Sequence, residues 1–98
     1  MLEYLCNLRI KGLRGMMELK EVLEKMKGEY VNIYTRHRLF GTQHIRMRFD
    51  PEIELGYGFR CKGQSIYIRE NELVDYLIID NRVIIIGENI EINIKVAS

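Results

Sequence analysis

Between Leu73 and Val96 the chain reads LVDYLIIDNRVIIIGENIEINIKV, its longest apolar and β-branched stretch, broken only at residues that favour turns. Ile90, Ile92, Ile94 and Val96 alternate with Glu91, Asn93 and Lys95. That period of two belongs to a strand with one face buried and the other in water. Asp80-Asn81 separates two apolar runs, and both residue types tolerate positive φ, so a two-residue hairpin is predicted there. Tyr76 to Ile79 and Val83 to Ile86 are apolar on both sides, which predicts a central place in a sheet or barrel. The last strand, Asn89 to Val96, is expected at an edge.

The remainder must cover that sheet. From Met17 to Lys27, Leu19, Val22, Leu23 and Met26 fall at i, i+3, i+4 and i+7, the stripe of an amphipathic helix, and Gly28 stops it. A first strand follows at Tyr30 to Thr35, with Val31, Ile33 and Thr35 on one side and Tyr30, Asn32 and Tyr34 on the other. Gln43 to Phe49 and Ile53 to Phe59 are expected to pair around Asp50-Pro51-Glu52. This register sets Phe49 opposite Ile53, Met47 opposite Leu55 and Arg48 opposite Glu54. Gly56 and Gly58 then permit strong bending or close backbone approach, and Lys62-Gly63 turns the chain into a strand at Ser65 to Arg69. The expected class is α+β, mostly β: an N-terminal helix packed on a small, strongly bent antiparallel β-barrel, Sm-like or SH3-like, with an added C-terminal hairpin. Residues 1–16 read as an extension, partly helical or disordered, and residues 17–98 as one domain.

A chain of 98 residues can bury a core without disulfides or metal. Its two cysteines, Cys6 and Cys61, are too few and too distant for a disulfide framework, so a reduced, cytoplasmic setting is expected. No apolar segment is long enough to predict a membrane span, and no standard export signal is read. Catalytic patterns are lacking as well. Thr35, Thr42 and Ser65 lie in no nucleophile elbow, and Cys61 shares a phase with Tyr57 and Phe59 as a small core thiol. His37, His44 and Cys61 fit no metal spacing, and Gly56-Tyr57-Gly58 lacks the rest of a phosphate loop. Glu52 and Glu54 are explained as charge partners of Arg46 and Arg48. The chain therefore reads as non-enzymatic, without cofactor or metal and with no small-molecule substrate indicated.

Net charge is only +1, but it is uneven. From Arg36 to Arg48 there are four arginines, two histidines and no acid, whereas Arg69 to Ser98 holds six acids against three basic residues. Arg36, His37, Arg38, His44, Arg46 and Arg48, with Tyr30, Tyr34 and Phe40 nearby, form the one combination with a binding rationale. Arginines hold phosphates, and aromatic rings stack on unpaired bases.

Local wording adds a family likeness. Gly28-Glu29-Tyr30-Val31-Asn32-Ile33, then Phe40-Gly41-Thr42 and Phe49-Asp50-Pro51-Glu52-Ile53-Glu54-Leu55, are similar to the first strand and first motif of the Sm-like ring-forming RNA-binding proteins. Ile66-Tyr67-Ile68-Arg69-Glu70-Asn71-Glu72-Leu73-Val74 resembles their second motif. The likeness spans about residues 17–79, and it implies an RNA pocket using Asp50 and Arg69. Two positions depart from it: Glu54 stands where many members have asparagine, and Glu70 where a glycine follows the arginine. Carboxylates there oppose an anionic ligand. Two functions follow as expectations. The first is a module for protein contacts, as a homo-oligomer or with another protein. The second is binding of RNA or single-stranded DNA through the basic residues.

Overall fold

The computed structural model describes residues 13–97, with side chains from Glu18 onward. Helix α1 (Leu13–Lys25) precedes strands β1 (Tyr30–His37), β2 (Gly41–Arg48), β3 (Tyr57–Cys61), β4 (Gln64–Ile68), β5 (Leu73–Ile79), β6 (Arg82–Gly87) and β7 (Ile90–Val96). The expected extension at 1–16 lies outside the described residues up to position 12. From Leu13 the chain is already helical, so α1 starts four residues before the predicted Met17.

The apolar stripe of α1 behaves as its spacing requires. Leu19, Leu23 and Met26 are buried, and Val22 packs beside them half-buried. At the exit Gly28 takes a φ of +85°, the left-handed conformation that releases the chain from a helix. Its N–H then donates to Phe49 O at 2.9 Å, while Phe49 N–H donates to Glu29 O at 2.8 Å. The helix exit is thus sewn to the end of β2.

The strands form a five-stranded antiparallel sheet in the order β2-β1-β7-β6-β5, and a separate two-stranded ribbon, β3-β4. The C-terminal run makes three consecutive antiparallel strands, as its pattern requires. Asp80-Asn81 joins β5 to β6, with positive φ at Asp80 alone. The position of the last strand corrects an expectation: β7 pairs with β1 on one side and β6 on the other, so it lies at the centre and not at an edge. The outermost described strands are β2 and β5, so of the two runs expected to be central Val83 to Ile86 is interior, while Tyr76 to Ile79 lies at an edge.

A second correction concerns β2. Its partner is β1, from Tyr30↔Arg48 to His37↔Gly41, and not the segment from Ile53 to Phe59. Asp50-Pro51-Glu52 is no hairpin turn. It runs beside β3, with Glu52 N–H bonded to Gly58 O and Arg60 N–H to Asp50 O, and Pro51 bridged to Phe59. The β3-β4 ribbon, closed by Lys62-Gly63, and α1 together cover one face of the sheet. The core joins Leu19 and Leu23 to Tyr57, Phe59 and Ile68 and to the inner rows Val31, Ile33, Ile92, Ile94, Val83 and Ile85.

Close approach fixes the ribbon. A Cβ at Gly58 would collide with Ile66 O and stand 2.5 Å from Tyr67 Cα, so only glycine fits. The backbone at Gly28, by contrast, has open space around it and needs glycine only for its φ. Gly58→Ala is therefore expected to destabilise the fold by about 3 kcal/mol or more. Gly28→Ala should cost about 1 kcal/mol. Urea unfolding of both variants checks this, and equal costs would contradict the crossing at Gly58.

Candidate functional site

Alternation along β1 sends Val31, Ile33 and Thr35 into the core and leaves Tyr30, Asn32, Tyr34 and Arg36 on the outer face. Antiparallel pairing places Arg48, Arg46, His44 and Thr42 of β2 directly opposite them. The rows continue across the sheet. Arg46 and Asn32 lead to Lys95 on β7 and Arg82 on β6, while His44 and Tyr34 lead to Asn93 and Ile84.

Specific contacts order this face. The rings of Tyr34 and His44 stack with centroids 4.4 Å apart and planes 6° from parallel. His44 Nε2 lies 3.1 Å from Asn32 Oδ1, which only accepts, so Nε2 is the donor. Arg48 stands 4.8 Å over the Tyr30 ring. Tyr30 and Tyr34 remain 53% and 44% exposed, unusual for tyrosines serving only as packing. Arg36 reaches Glu91 at 3.4 Å, an exposed ion pair of small energetic weight. Arg46, Arg48, Lys95 and Arg82 make no salt bridge among the described residues. The row formed by these four cations is therefore positive and without an ion-pair partner among the described residues.

The remaining sequence-predicted residues divide. Arg38 stands in the exposed loop between β1 and β2, and its N–H donates to Asn89 O at 2.8 Å. His37 holds that loop by accepting from the N–H groups of Leu39 and Phe40 at its Nδ1. Asp50 and Arg69 are not brought to this face. Asp50 lies 3.9 Å from Arg60, and Arg69 lies 3.9 Å from Glu72. Arg46 and Arg48 do not face Glu54, which corrects the expected pairing; they face Asn32 and Tyr30. Lys95 and Arg82 were missed, because only the β1–β7 pairing reveals that they continue the row. Among the described residues no three His, Cys, Asp or Glu side chains gather as a metal set. Nor is any described helix long and apolar enough to cross a membrane.

Glu52, which sequence pattern puts outside, is a buried carboxylate. It is only 2% exposed, and its Oε2 accepts from Arg60 at 2.8 Å and from the Ser65 hydroxyl at 2.9 Å. The Ser65 and Arg60 hydrogen bonds hold its carboxyl below the ordinary glutamate value, against burial, which pushes upward. This is a structural clamp between the 50–52 segment and the ribbon. Half-buried Cys61 packs against the same core. On the other side of Cys61, an open groove of 260 Å³ runs beneath β2, lined by Gln43, Ile45, Cys61, Lys62, Gln64 and Ile66.

A lowered folded-state pKa means that the clamp contributes fully above the ordinary glutamate range and is lost as pH falls through the lowered value. Glu52→Gln should therefore be less stable than the parent at neutral pH, and the gap should close on acidification. Thermal melts of both proteins between neutral and acidic pH check the convergence; a constant gap would contradict it.

No protein-family model, curated protein or solved structure matches this chain.

Proposed function

We propose that the chain is a non-enzymatic module that binds single-stranded nucleic acid across the outer face of β2, β1, β7 and β6. One observation carries the reading: an uncompensated basic row, Arg46 to Lys95 to Arg82, runs beside two exposed tyrosines on the same side of one sheet. Phosphates spaced along a single strand suit the row, because each neutralised phosphate releases condensed counterions. Bases suit the rings. A base set against either end of the Tyr34–His44 pair extends an existing stack, and Tyr30 offers a second platform steadied by Arg48. Such contacts use π-faces and charge, so little sequence preference is expected.

In this reading helix, sheet and ribbon together amount to a small, strongly bent barrel of the Sm-like kind, as the resemblance implies. The pocket that the resemblance would supply takes no part in this reading, since Asp50 and Arg69 lie beside Arg60 and Glu72 and not along the basic row. Protein contact through Asn89 to Val96 is given up, because that strand is central.

The test is fluorescence anisotropy with labelled oligouridylate and oligothymidylate across a salt series. Contacts from Arg46, Arg48, Lys95 and Arg82 predict a slope of log affinity against log salt near −3, about −0.7 for each. Arg82→Gln should reduce the slope by about 0.7 and weaken both oligonucleotides alike. Tyr30→Ala should weaken binding by roughly 1 to 3 kcal/mol with the slope little changed. Absence of salt-dependent binding at low ionic strength would reject the proposal.

A further inference from the structure

The free side of β2 is an unpaired backbone ladder. Phe49 N–H donates to Glu29 O across the β1–β2 pair, and bonding direction alternates residue by residue along an antiparallel strand. Gln43, Ile45 and Met47 therefore bond toward β1, whereas Thr42, His44, Arg46 and Arg48 turn their N–H and C=O groups outward. Since β2 ends the sheet, among the described residues no backbone group from Thr42 to Arg48 bonds beyond β1. Two different surfaces flank this ladder. On the outer side stand His44, Arg46 and Arg48, all exposed; on the inner side lies the groove floored by Ile45, Cys61 and Ile66.

We infer that this edge takes up an extended segment of a partner protein as an added strand, and that the segment alternates acidic and apolar residues. Charge complementarity and the period of two together select this occupant. Residues of an added strand that lie opposite His44, Arg46 and Arg48 share the outer face with them, and carboxylates there meet the uncompensated Arg46 and Arg48. The intervening residues point to the inner side, where Ile45 and Ile66 accept apolar groups. A second copy of β2 is the wrong occupant. A two-fold centred on Ile45 sets Arg46 beside His44 of the other copy, and one centred on Arg46 sets it against itself. The first register gives Arg46 a histidine in place of a counter-charge, and the second lays arginine against arginine. The inference goes beyond the nucleic-acid reading and does not rest on it, since it uses the backbone edge and the groove.

The probe is a blocked seven-residue peptide of alternating glutamate and valine, titrated into the full ¹⁵N-labelled chain. A lysine–valine peptide and a scrambled glutamate–valine peptide serve as comparisons. Slowed amide exchange is expected at Thr42, His44, Arg46 and Arg48, with the glutamate–valine repeat at least about tenfold tighter than the lysine one. The exposed double variant R46E/R48E should reverse that preference while keeping a dispersed spectrum. Protection centred on another strand, equal affinity for both charge types, no shift at millimolar peptide, or a concentration-dependent dimer of the free chain would overturn the inference. Arg82→Glu separates the two proposals, because Arg82 on β6 is out of reach of a strand added at β2. It should weaken oligonucleotides and leave the peptide unaffected. Loss of both together would overturn the separate edge site.

Discussion

The pairing of β1 with β7 is the constraint on which the rest depends. It joins residues 31–37 to residues 90–96, so most of the chain must be looped out before the contact forms. Loop entropy rises only slowly with length, by about 0.6 kcal/mol for each doubling, whereas burying one Val or Ile is worth roughly 1.5 to 3 kcal/mol. Val31, Ile33, Ile92 and Ile94 are fully buried along this seam, so the hydrophobic gain dominates. The same seam has a second consequence on the other side of the sheet. Facing residues in an antiparallel pair share a face, so joining the inner aliphatic rows also sets Asn32 beside Lys95 and Arg36 beside Glu91. Core formation and assembly of the outer basic row are one event.

What sequence could display was whatever repeats locally. The stripe of α1, the alternation of β1 and β7 and the Asp80-Asn81 hairpin depend on residues close in the chain, and each took its expected form. The failed pairing is more instructive. Matching Gln43–Phe49 to Ile53–Phe59 satisfied both faces on paper, yet the alternative is as local and better connected. A three-residue loop, Arg38 to Phe40, links β1 to β2; Gly41 takes a φ of +81°, and His37 accepts two loop N–H groups. Pro51, having no N–H, suits an outermost position beside β3. Glu52 can be buried only because Arg60 and Ser65 arrive from later segments to bond it. No pattern around Glu52 announces those partners.

The candidate site was legible to the same extent. Arg36, His44, Arg46 and Arg48 lie on adjacent strands, and period two suffices to place them on one side. Lys95 was readable as outward-facing, but its neighbour across the sheet was not, and the same holds for Arg82. Asp50 and Arg69 belonged to a borrowed pocket. Each stands 3.9 Å from a local counter-charge, an exposed pair of small energetic weight, and neither joins the basic row of the outer face.

An exposed edge strand is a hazard that charged residues commonly offset, and β2 carries its charges where they have this effect. Arg46 and Arg48 stand beside the open ladder, so a basic strand would be repelled there and an acidic one drawn in. Arg46 and Arg48 also belong to the outer face, and a guanidinium already neutralised by a carboxylate does not neutralise a phosphate, whose condensed counterions then stay in place. An acidic strand seated at the edge would therefore leave Lys95 and Arg82 to hold a nucleic acid alone. Face and edge share the same two arginines, so the two proposed ligands would oppose each other through charge alone, with no conformational change required.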